Sequence, residues 1–155
     1  MAEKISPEVR SRMMCGIRGA NTKPELLVRR HLHRAGLRFR LFAKDLPGRP
    51  DVVLPKWGTV VLVHGCFWHG HKGCRYFRLP KTRTDWWKAK IEGNVARDIR
   101  AEAQLRESGW RVAVVWECAL RADPDETLSR LVEFIRSDEP SAEFTESGTR
   151  PESHG

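Results

Sequence analysis

The sequence lacks the long apolar runs that place a chain in a membrane or direct it out of the cell. None of its segments approaches the roughly 18 consecutive apolar residues of a membrane-spanning helix. The first ten residues, MAEKISPEVR, have no apolar core like that of a secretory signal peptide. A soluble, cytoplasmic protein is therefore expected, and in that reducing compartment its four cysteines favour metal binding over disulfides.

The sequence also lacks internal repeats, and 155 residues with 40% hydrophobic content fit a single domain. Its charge is uneven, because residues 138–155 carry five acids against one base. Without that net −4, the overall charge of +8 becomes +12 for residues 1–137. We predict one domain over residues 1–137, with a helical N-terminal arm at 1–20, and a disordered acidic tail at 138–155.

The basic surplus predicts a polyanionic partner, and nucleic acid is the default partner of such a domain. Aromatic residues interleave with basic ones between residues 67 and 90. Aromatic faces stack on bases or wedge between them, and cations neutralise phosphates, so this mixture favours contact with DNA or RNA. The alternative is a set of core aromatics surrounded by solvated charges, which we expect for part of the set, such as Phe77.

One segment, residues 60–74, concentrates the residues that carry chemistry. Its apolar, β-favouring first four residues predict a buried strand. Two cysteines and three histidines follow within eleven residues, among glycines that let the backbone turn tightly. Zinc takes four thiolate or imidazole ligands, and Cys66, His71 and Cys74 supply three of them. The alternative, ordinary buried thiols and polar loop histidines, is weaker because these residues cluster.

Apolar periodicity predicts an α/β fold. Helices are predicted at residues 7–19, 22–36, 84–108 and 124–136, and strands at 51–54, 60–63 and 111–116. The longest helix has an apolar stripe suited to packing over a sheet, formed by Trp87, Ile91, Val95 and Ile99. The segment Thr22-x-x-Glu25 fits a capping box, which would give Glu25 a purely structural role.

Pairing of these strands would bring the polar residues together. A hairpin of the first two strands places Asp51 near His64. Pairing of the second and third brings Cys118 beside the Cys66 loop as the fourth zinc ligand. Asp51 then offers a hard oxygen to Mg²⁺, and His64 and His69 are left as donors or bases, which suits phosphodiester hydrolysis. Catalytic zinc is the weaker alternative, because a complete Cys₃His site has no open position.

Several motifs follow one another in a distinctive order. They are Leu46-Pro-Gly-Arg-Pro-Asp51, His64-Gly-Cys-Phe-Trp-His69, Thr82-Arg-Thr84, Asn94-Val-x-Arg-Asp98, and Gly109-Trp-Arg-Val with Val115-Trp-Glu-Cys118. Together they resemble the very-short-patch repair endonucleases, which nick DNA at T:G mismatches. The resemblance runs from about residue 11 to about residue 121. It implies a restriction-endonuclease-like α/β fold, a mixed sheet flanked by helices, with a structural zinc site.

The resemblance also implies roles for individual residues. Catalysis falls on Asp51, His64, His69 and Glu25, and Mg²⁺ on Asp51 and the backbone carbonyl of Val63. The zinc ligands fall on Cys66, His71, Cys74 and Cys118, with a spacing from His71 to Cys74 that is one residue longer than the family pattern. The DNA-binding residues are Met14, Phe67, Trp68, Trp87, Lys90 and Asn94, and Arg83 is expected to contact phosphate.

The expected function is a Mg²⁺-dependent endonuclease that nicks one strand at T:G mismatches in very short patch repair. The expected partner is mismatched double-stranded DNA, bound by a monomer and passed on to repair proteins after the nick. One alternative is a restriction-type nuclease that cuts both strands at a defined sequence. Another is a zinc-stabilised DNA-binding module that has lost catalysis, against which the presence of Asp51, His64 and His69 argues.

Overall fold

The computed structural model describes residues 23–41, 43–146 and 148–150, with side chains up to residue 146. The predicted helix at 7–19, the arm at 1–20, Met14 and the capping residue Thr22 lie outside the described residues. Within the described part, no helix is long and apolar enough to cross a membrane.

A six-stranded mixed sheet flanked by helices forms the architecture, which confirms the predicted α/β class. In chain order the elements are α1 (Lys23–Arg34), β1 (Arg40–Leu41), β2 (Val52–Leu54), a 3₁₀ turn (Pro55–Trp57), β3 (Thr59–His64), α2 (Thr84–Glu107), β4 (Arg111–Trp116), α3 (Glu117–Ala122), α4 (Pro124–Arg136), β5 (Ser141–Thr145) and β6 (Gly148–Arg150). The strands lie in the order of the chain, with parallel pairing of β3 to β4 and of β4 to β5 and antiparallel pairing elsewhere.

Strand β3 lies inside the sheet with both faces covered, which is why its sequence is a continuous apolar run. Val61 and Val63 pack with the apolar sides of α1 and α4. Val60 and Leu62 point to the opposite face, where Leu105 of α2 joins the core. Alternate residues of one strand therefore reach two different layers, and the segment that follows β3 emerges between them.

The two predicted pairings of β3 are confirmed. In the hairpin with β2, Val52 lies opposite Val61. In the parallel pair with β4, His64 lies opposite Trp116. This register brings the loop after β3 beside the first turn of α3, where Cys118 is buried. The predicted helix at 124–136 is also confirmed, with its apolar side buried as expected.

The prediction of a disordered tail from residue 138 is wrong for the residues that form β5 and β6. Strand β5 pairs in parallel with β4, and β6 extends the sheet from β5. Ala142 and Phe144 are each 2% exposed, while Glu143 and Thr145 between and after them are partly exposed. Ala142 and Phe144 anchor the strand by pointing into the core. The prediction missed this alternation because it rested on the acidic composition of the segment.

The apolar stripe predicted for α2 is only partly correct. Ile91 and Leu105 are buried, but Ile99 is 62% exposed. The middle of the helix packs against the loop after β3: a Cβ on Gly70 would lie 2.8 Å from Ile91 and 2.9 Å from Val95. A glycine with positive φ is therefore required at this close approach.

Candidate active site

Four metal-binding side chains converge where the loop after β3 meets the start of α3. Cys66, His71 and Cys74 come from the loop and Cys118 from the helix, and their ligand atoms all lie within 4.8 Å of one another. A tetrahedral zinc with bonds of about 2.3 Å to sulfur separates two sulfurs by about 3.8 Å, so this group is compact enough for one ion. The structure thus brings together all four residues that the sequence suggested as ligands.

Hydrogen bonds already organise the thiols of this metal cluster. The backbone N–H of Cys118 donates to Sγ of Cys66, and the N–H of Glu146 donates to Sγ of Cys118, each at 3.3 Å. The hydrogen bond with Cys66 lowers the pKa of Cys118 to about 6, and the same contact, followed by burial, raises the pKa of Cys66. Three sulfurs and one imidazole are a soft donor set, so the cluster could hold a metal ion of the zinc type.

An acidic pair, buried Glu25 and partly buried Asp51, lies beside the end of β3. Oδ2 of Asp51 accepts a hydrogen bond from the backbone N–H of Val63 at 2.7 Å. Glu25 is 3% exposed, and its Oε2 lies 3.5 Å from Nη2 of Arg29. Burial raises the pKa of Asp51 well above its usual value, and the neighbouring Glu25 raises it further against the opposing effect of the Val63 hydrogen bond. A hard divalent cation bound by these two neighbouring carboxyl groups would offset their mutual repulsion.

A cavity of about 340 Å³ opens at Glu25, one member of this acidic pair. Glu25, Val63 and His69 line it, together with Phe67 and Trp68. Residues predicted for catalysis and residues predicted for DNA contact therefore share one cavity. We call it the acidic cavity.

The two predicted catalytic histidines stack on each other. The ring centroids of His64 and His69 lie 4.0 Å apart with 6° between the planes. Nδ1 of His69 lies 2.6 Å from Oδ2 of Asp98 in a hydrogen bond. Burial lowers the pKa of His64 well below its usual value, and the nearby His69 and His71 lower it further, so His64 is neutral at physiological pH.

The hairpin brings Asp51 beside the end of β3, as predicted, because the N–H of Val63, the residue before His64, donates to its carboxylate. The side chains of Asp51 and His64 nevertheless belong to different groups. The neighbours that act on the pKa of Asp51 are Val63, Glu25 and Arg29. His64 belongs to a separate cavity of about 410 Å³, which Asp98 and Glu102 also line. His69 lines both cavities and so connects the two groups.

His64, His69 and Asp98 also have ligand atoms within 4.8 Å of one another, yet their directions do not suit a metal. An imidazole binds a metal in the plane of its ring, and two parallel stacked rings point their lone pairs along parallel planes. The carboxylate of Asp98 already occupies Nδ1 of His69. We interpret this group as a stacked histidine pair, in which a hydrogen bond with Asp98 orients His69.

Sequence reasoning missed Asp98, Trp116 and Glu143. Asp98 stood in a recognised motif without a role, and its spacing of four from Asn94 on a helix was the available signal. The indole of Trp116 stacks on His71 with centroids 3.9 Å apart and contacts the ring of His64 edge-on at 5.0 Å. Its Nε1 donates to Glu143 at 2.8 Å, in the segment predicted to be disordered.

The predicted intercalating residues form one aromatic cluster at the acidic cavity. The ring centroids of Phe67, Trp68 and Trp87 lie between 5.1 and 5.7 Å apart. All three side chains are partly exposed. Nδ2 of Asn94 donates to the backbone carbonyl of Trp68 at 2.9 Å, which ties the loop to α2.

The remaining predicted DNA-binding residues lie on or near α2. Arg83 precedes the helix, is exposed, and lies 5.1 Å from the ring centroid of Trp86, which is 49% exposed. Lys90 is half-buried on the helix. Met14 lies outside the described residues.

Comparison with known proteins identifies a family match and several relatives of this chain. Residues 2–75 match the family model described as DNA mismatch endonuclease Vsr. The chain is 58% identical over 120 residues to the Type II nicking enzyme V.XorIIP of Xanthomonas oryzae pv. oryzae, covering 77% of this chain and 88% of the relative. It is 45% identical over 138 residues to the Type II nicking enzyme V.NmeAIP of Neisseria meningitidis, covering 88% and 98%. It is 43% identical over 152 residues to the DNA mismatch endonuclease Vsr of Escherichia coli, covering 96% and 97%.

These relatives and the acidic cavity with its histidine agree on the class of protein, which is a DNA endonuclease. More narrowly, the chain belongs to the DNA mismatch endonuclease Vsr family, as the order of its motifs predicted. DNA is therefore its substrate, DNA mismatch repair is its context, and a nuclease of this family implies a divalent metal.

Proposed function

We propose that the protein is a Mg²⁺-dependent endonuclease that nicks one strand of duplex DNA at a T:G mismatch. The observation that carries this proposal is the carboxylate of Asp51, which Val63 holds in place beside Glu25. Glu25 of this pair and Val63, to which Asp51 is hydrogen-bonded, line a cavity together with a histidine and two wedge-like aromatic residues. The mixed sheet with helices on both faces further supports a restriction-endonuclease-like fold.

Asp51 and the backbone carbonyl of Val63 would hold Mg²⁺, with Glu25 as a third oxygen donor nearby. When bound, the ion supplies positive charge that offsets the charge of the phosphate under attack. The oxygen donors and the crowding of the two carboxyls fit this hard cation.

His69 is suited to accept a proton from the attacking water. Its Nδ1 lies in a hydrogen bond with Asp98, and a carboxylate there would favour the tautomer that carries the proton on Nδ1 and leaves a lone pair on Nε2. The ring lines the acidic cavity, so this nitrogen can reach a water near the substrate. His64 is neutral and stacks on His69, so it limits the rotation of the ring without adding charge.

The metal cluster would hold zinc with a structural role. Two of its ligands, Cys66 and His71, flank Phe67 and Trp68 in the chain, so the ion would keep these aromatic residues in position for a mismatched step. A monomeric enzyme in the cytoplasm, followed by repair proteins at the nick, remains a prediction.

A nicking assay tests the proposed function. The substrates are duplexes that carry a T:G mismatch, another mismatch or only matched pairs, with each strand end-labelled in turn, in Mg²⁺ or in chelator. The expected result is a break in one strand of the T:G duplex only, and only with Mg²⁺. Breaks in both strands of matched duplex would indicate a restriction-type nuclease, and binding without cleavage would indicate an inactive DNA-binding module. Either of these results would overturn the proposal.

A further inference from the structure

Arg121 lies at the acidic cavity, and neither the motifs nor the proposed chemistry gives it a role. It lines this cavity together with Glu25, Val63 and His69, and it is the only lysine or arginine among the described residues that do so. Its side chain is 57% exposed, so the positive charge is accessible from solvent.

Two neighbours hold the guanidinium of Arg121 in one orientation. Nε and Nη2 lie 3.2 and 3.1 Å from Oε2 of Glu117, and the guanidinium lies 4.7 Å from the ring centroid of Tyr76. The other carboxylate oxygen of Glu117 accepts a hydrogen bond from the backbone N–H of Cys66 at 3.3 Å. This ion pair leaves the N–H groups of Nη1 outside it, and it ties Arg121 to the loop that carries the metal ligands.

The acidic cavity needs a cation if a DNA strand is to enter it. Glu25 and Glu117 line it and repel phosphate, and the bound metal would offset only part of that charge. An arginine side chain that a carboxylate and an aromatic ring already hold in place loses little more conformational entropy when it binds a phosphate. The planar guanidinium also matches the geometry of the phosphate oxygens.

We propose that Arg121 is a phosphate-binding residue, whose guanidinium binds a backbone phosphate of the DNA strand that enters the acidic cavity. The assignment of that cavity to the cleaved strand rests on the function proposed above. Binding of the phosphate at this point would place the strand across Val63 and His69.

A second ion pair of the same kind provides a matched control. Arg130 and Glu126 of α4 also stand four residues apart, and Nε of Arg130 donates to Oε1 of Glu126 at 2.6 Å. Arg130 does not line the acidic cavity. Loss of an exposed helical ion pair is thus common to Arg121→Gln and Arg130→Gln, and only the first removes the proposed phosphate contact.

The first measurement is the salt dependence of binding to a T:G duplex and to a matched duplex, without added divalent cation. Loss of one phosphate contact lowers the slope of log K against log salt concentration by about 0.9. Over a fourfold range of salt, the affinity of Arg121→Gln should therefore change about 3.5-fold less than that of the wild type, equally on both duplexes. Arg121→Lys and Arg130→Gln should keep the wild-type slope.

A neutral pair excludes a simple effect of charge. In Arg121→Gln with Glu117→Gln the net charge at the cavity equals that of the wild type, and the glutamine can still accept from the N–H of Cys66. If the slope of this double variant returns to the wild-type value, the effect was one of net charge and the proposal is wrong. A slope that stays low supports a direct contact.

The second measurement locates the phosphate. Single methylphosphonates, which remove one backbone charge, are placed in turn on both sides of the nicking position. At one position the substitution should weaken binding by the wild type and have no further effect on Arg121→Gln. Additive losses at every position would overturn the proposal. Nicking by the wild type is measured separately, so failure of the proposed nuclease chemistry and failure of this phosphate contact give different results.

Discussion

Two groups of side chains meet at the loop after β3, and they share residue types but differ in geometry. In the metal cluster, three thiols and an imidazole point at one another, with all ligand atoms within 4.8 Å. In the histidine pair, the rings of His64 and His69 lie parallel at 4.0 Å, and Asp98 holds the outer ring by a hydrogen bond. The first arrangement can share one ion, and the second can orient one proton acceptor.

The comparison teaches that clustering of histidine, cysteine and acidic residues does not by itself define a metal centre. Whether such a cluster can bind a metal depends on whether the lone pairs of its ligand atoms point at one common position. The two groups are also in contact through one residue, because Trp116 packs on His71 of the metal cluster and on His64 of the histidine pair. Loss of the metal should therefore displace Trp116 and, through it, His64. The histidine pair supplies no ligand to the metal cluster, so removal of one of its side chains should leave the metal in place.

The largest expected effect comes from removal of a metal ligand. We expect Cys66→Ala to lose the bound zinc and to lower the free energy of unfolding by about 4 kcal/mol or more, because loss of a structural metal is among the few changes this costly. Elemental analysis and denaturant unfolding measure the two effects. Cys15→Ala removes a thiol that the resemblance leaves out of the cluster, and should change neither. Purified wild-type protein without zinc, or unchanged stability of Cys66→Ala, would contradict the assignment.

The next effect separates the acidic pair from the metal cluster. Asp51→Asn keeps the shape of the side chain but removes the charge that would hold Mg²⁺, so nicking should fall by more than about a hundredfold, the equivalent of several kcal/mol. Zinc content and binding to T:G duplex should stay at the wild-type level. A variant that still nicks at nearly the wild-type rate would show that Asp51 is not the metal ligand.

A smaller effect tests the interpretation of the histidine pair. We expect Asp98→Asn to lower the nicking rate by about 10- to 100-fold, because the amide orients His69 less firmly and in the wrong tautomer. His69→Ala should lower the rate at least as much, by about 10²- to 10⁴-fold, the range for loss of a general base. Both variants should retain one zinc per chain. A second metal ion per wild-type chain that either variant loses would show that the histidine pair is a metal centre, and the comparison of the two groups would fail.

The zinc ligands and the central strands could be proposed from the sequence because their determinants are local. The valine runs of β3 and β4 specify buried strands, and neighbouring strands that pair in register then bring Cys118 to the loop after β3. The spacing of Cys66, His71 and Cys74 within one loop indicated the other three ligands. Each step used contacts between elements that are adjacent in the sheet.

The contacts that sequence reasoning missed depend on packing between distant elements. Asp98 reaches His69 only because α2 crosses the loop at Gly70, and Trp116 meets His71 only through the register of β4. Strand β5 depends on two inward residues within an acidic segment, so its composition predicted disorder while its alternation specified a strand.

The smallest effect, and the one that concerns specificity, lies in the aromatic cluster. A T:G wobble pair differs little from a matched pair at its groove edges, so hydrogen bonds alone discriminate weakly. Insertion of a wedge costs a few kcal/mol per base step and costs less where pairing is already imperfect. Trp68 is partly exposed and contacts Phe67 and Trp87, while its backbone is tied to Asn94.

We therefore expect Trp68→Ala to lose about tenfold in affinity for T:G duplex, which is within the range for one stacked base, and to lose less for matched duplex at the same salt concentration. Arg83→Gln is the control, because an exposed phosphate contact should weaken both duplexes alike and lower the salt slope by about 0.9. Zinc content, measured in parallel, shows whether the loop has kept its metal. Because Trp68 stands between the ligands Cys66 and His71 in the chain, a Trp68→Ala variant that keeps zinc but loses discrimination would assign specificity to the side chain and not to the loop. Equal losses on both duplexes would mean that Trp68 serves packing or non-specific contact, and the wedge would have to be given up.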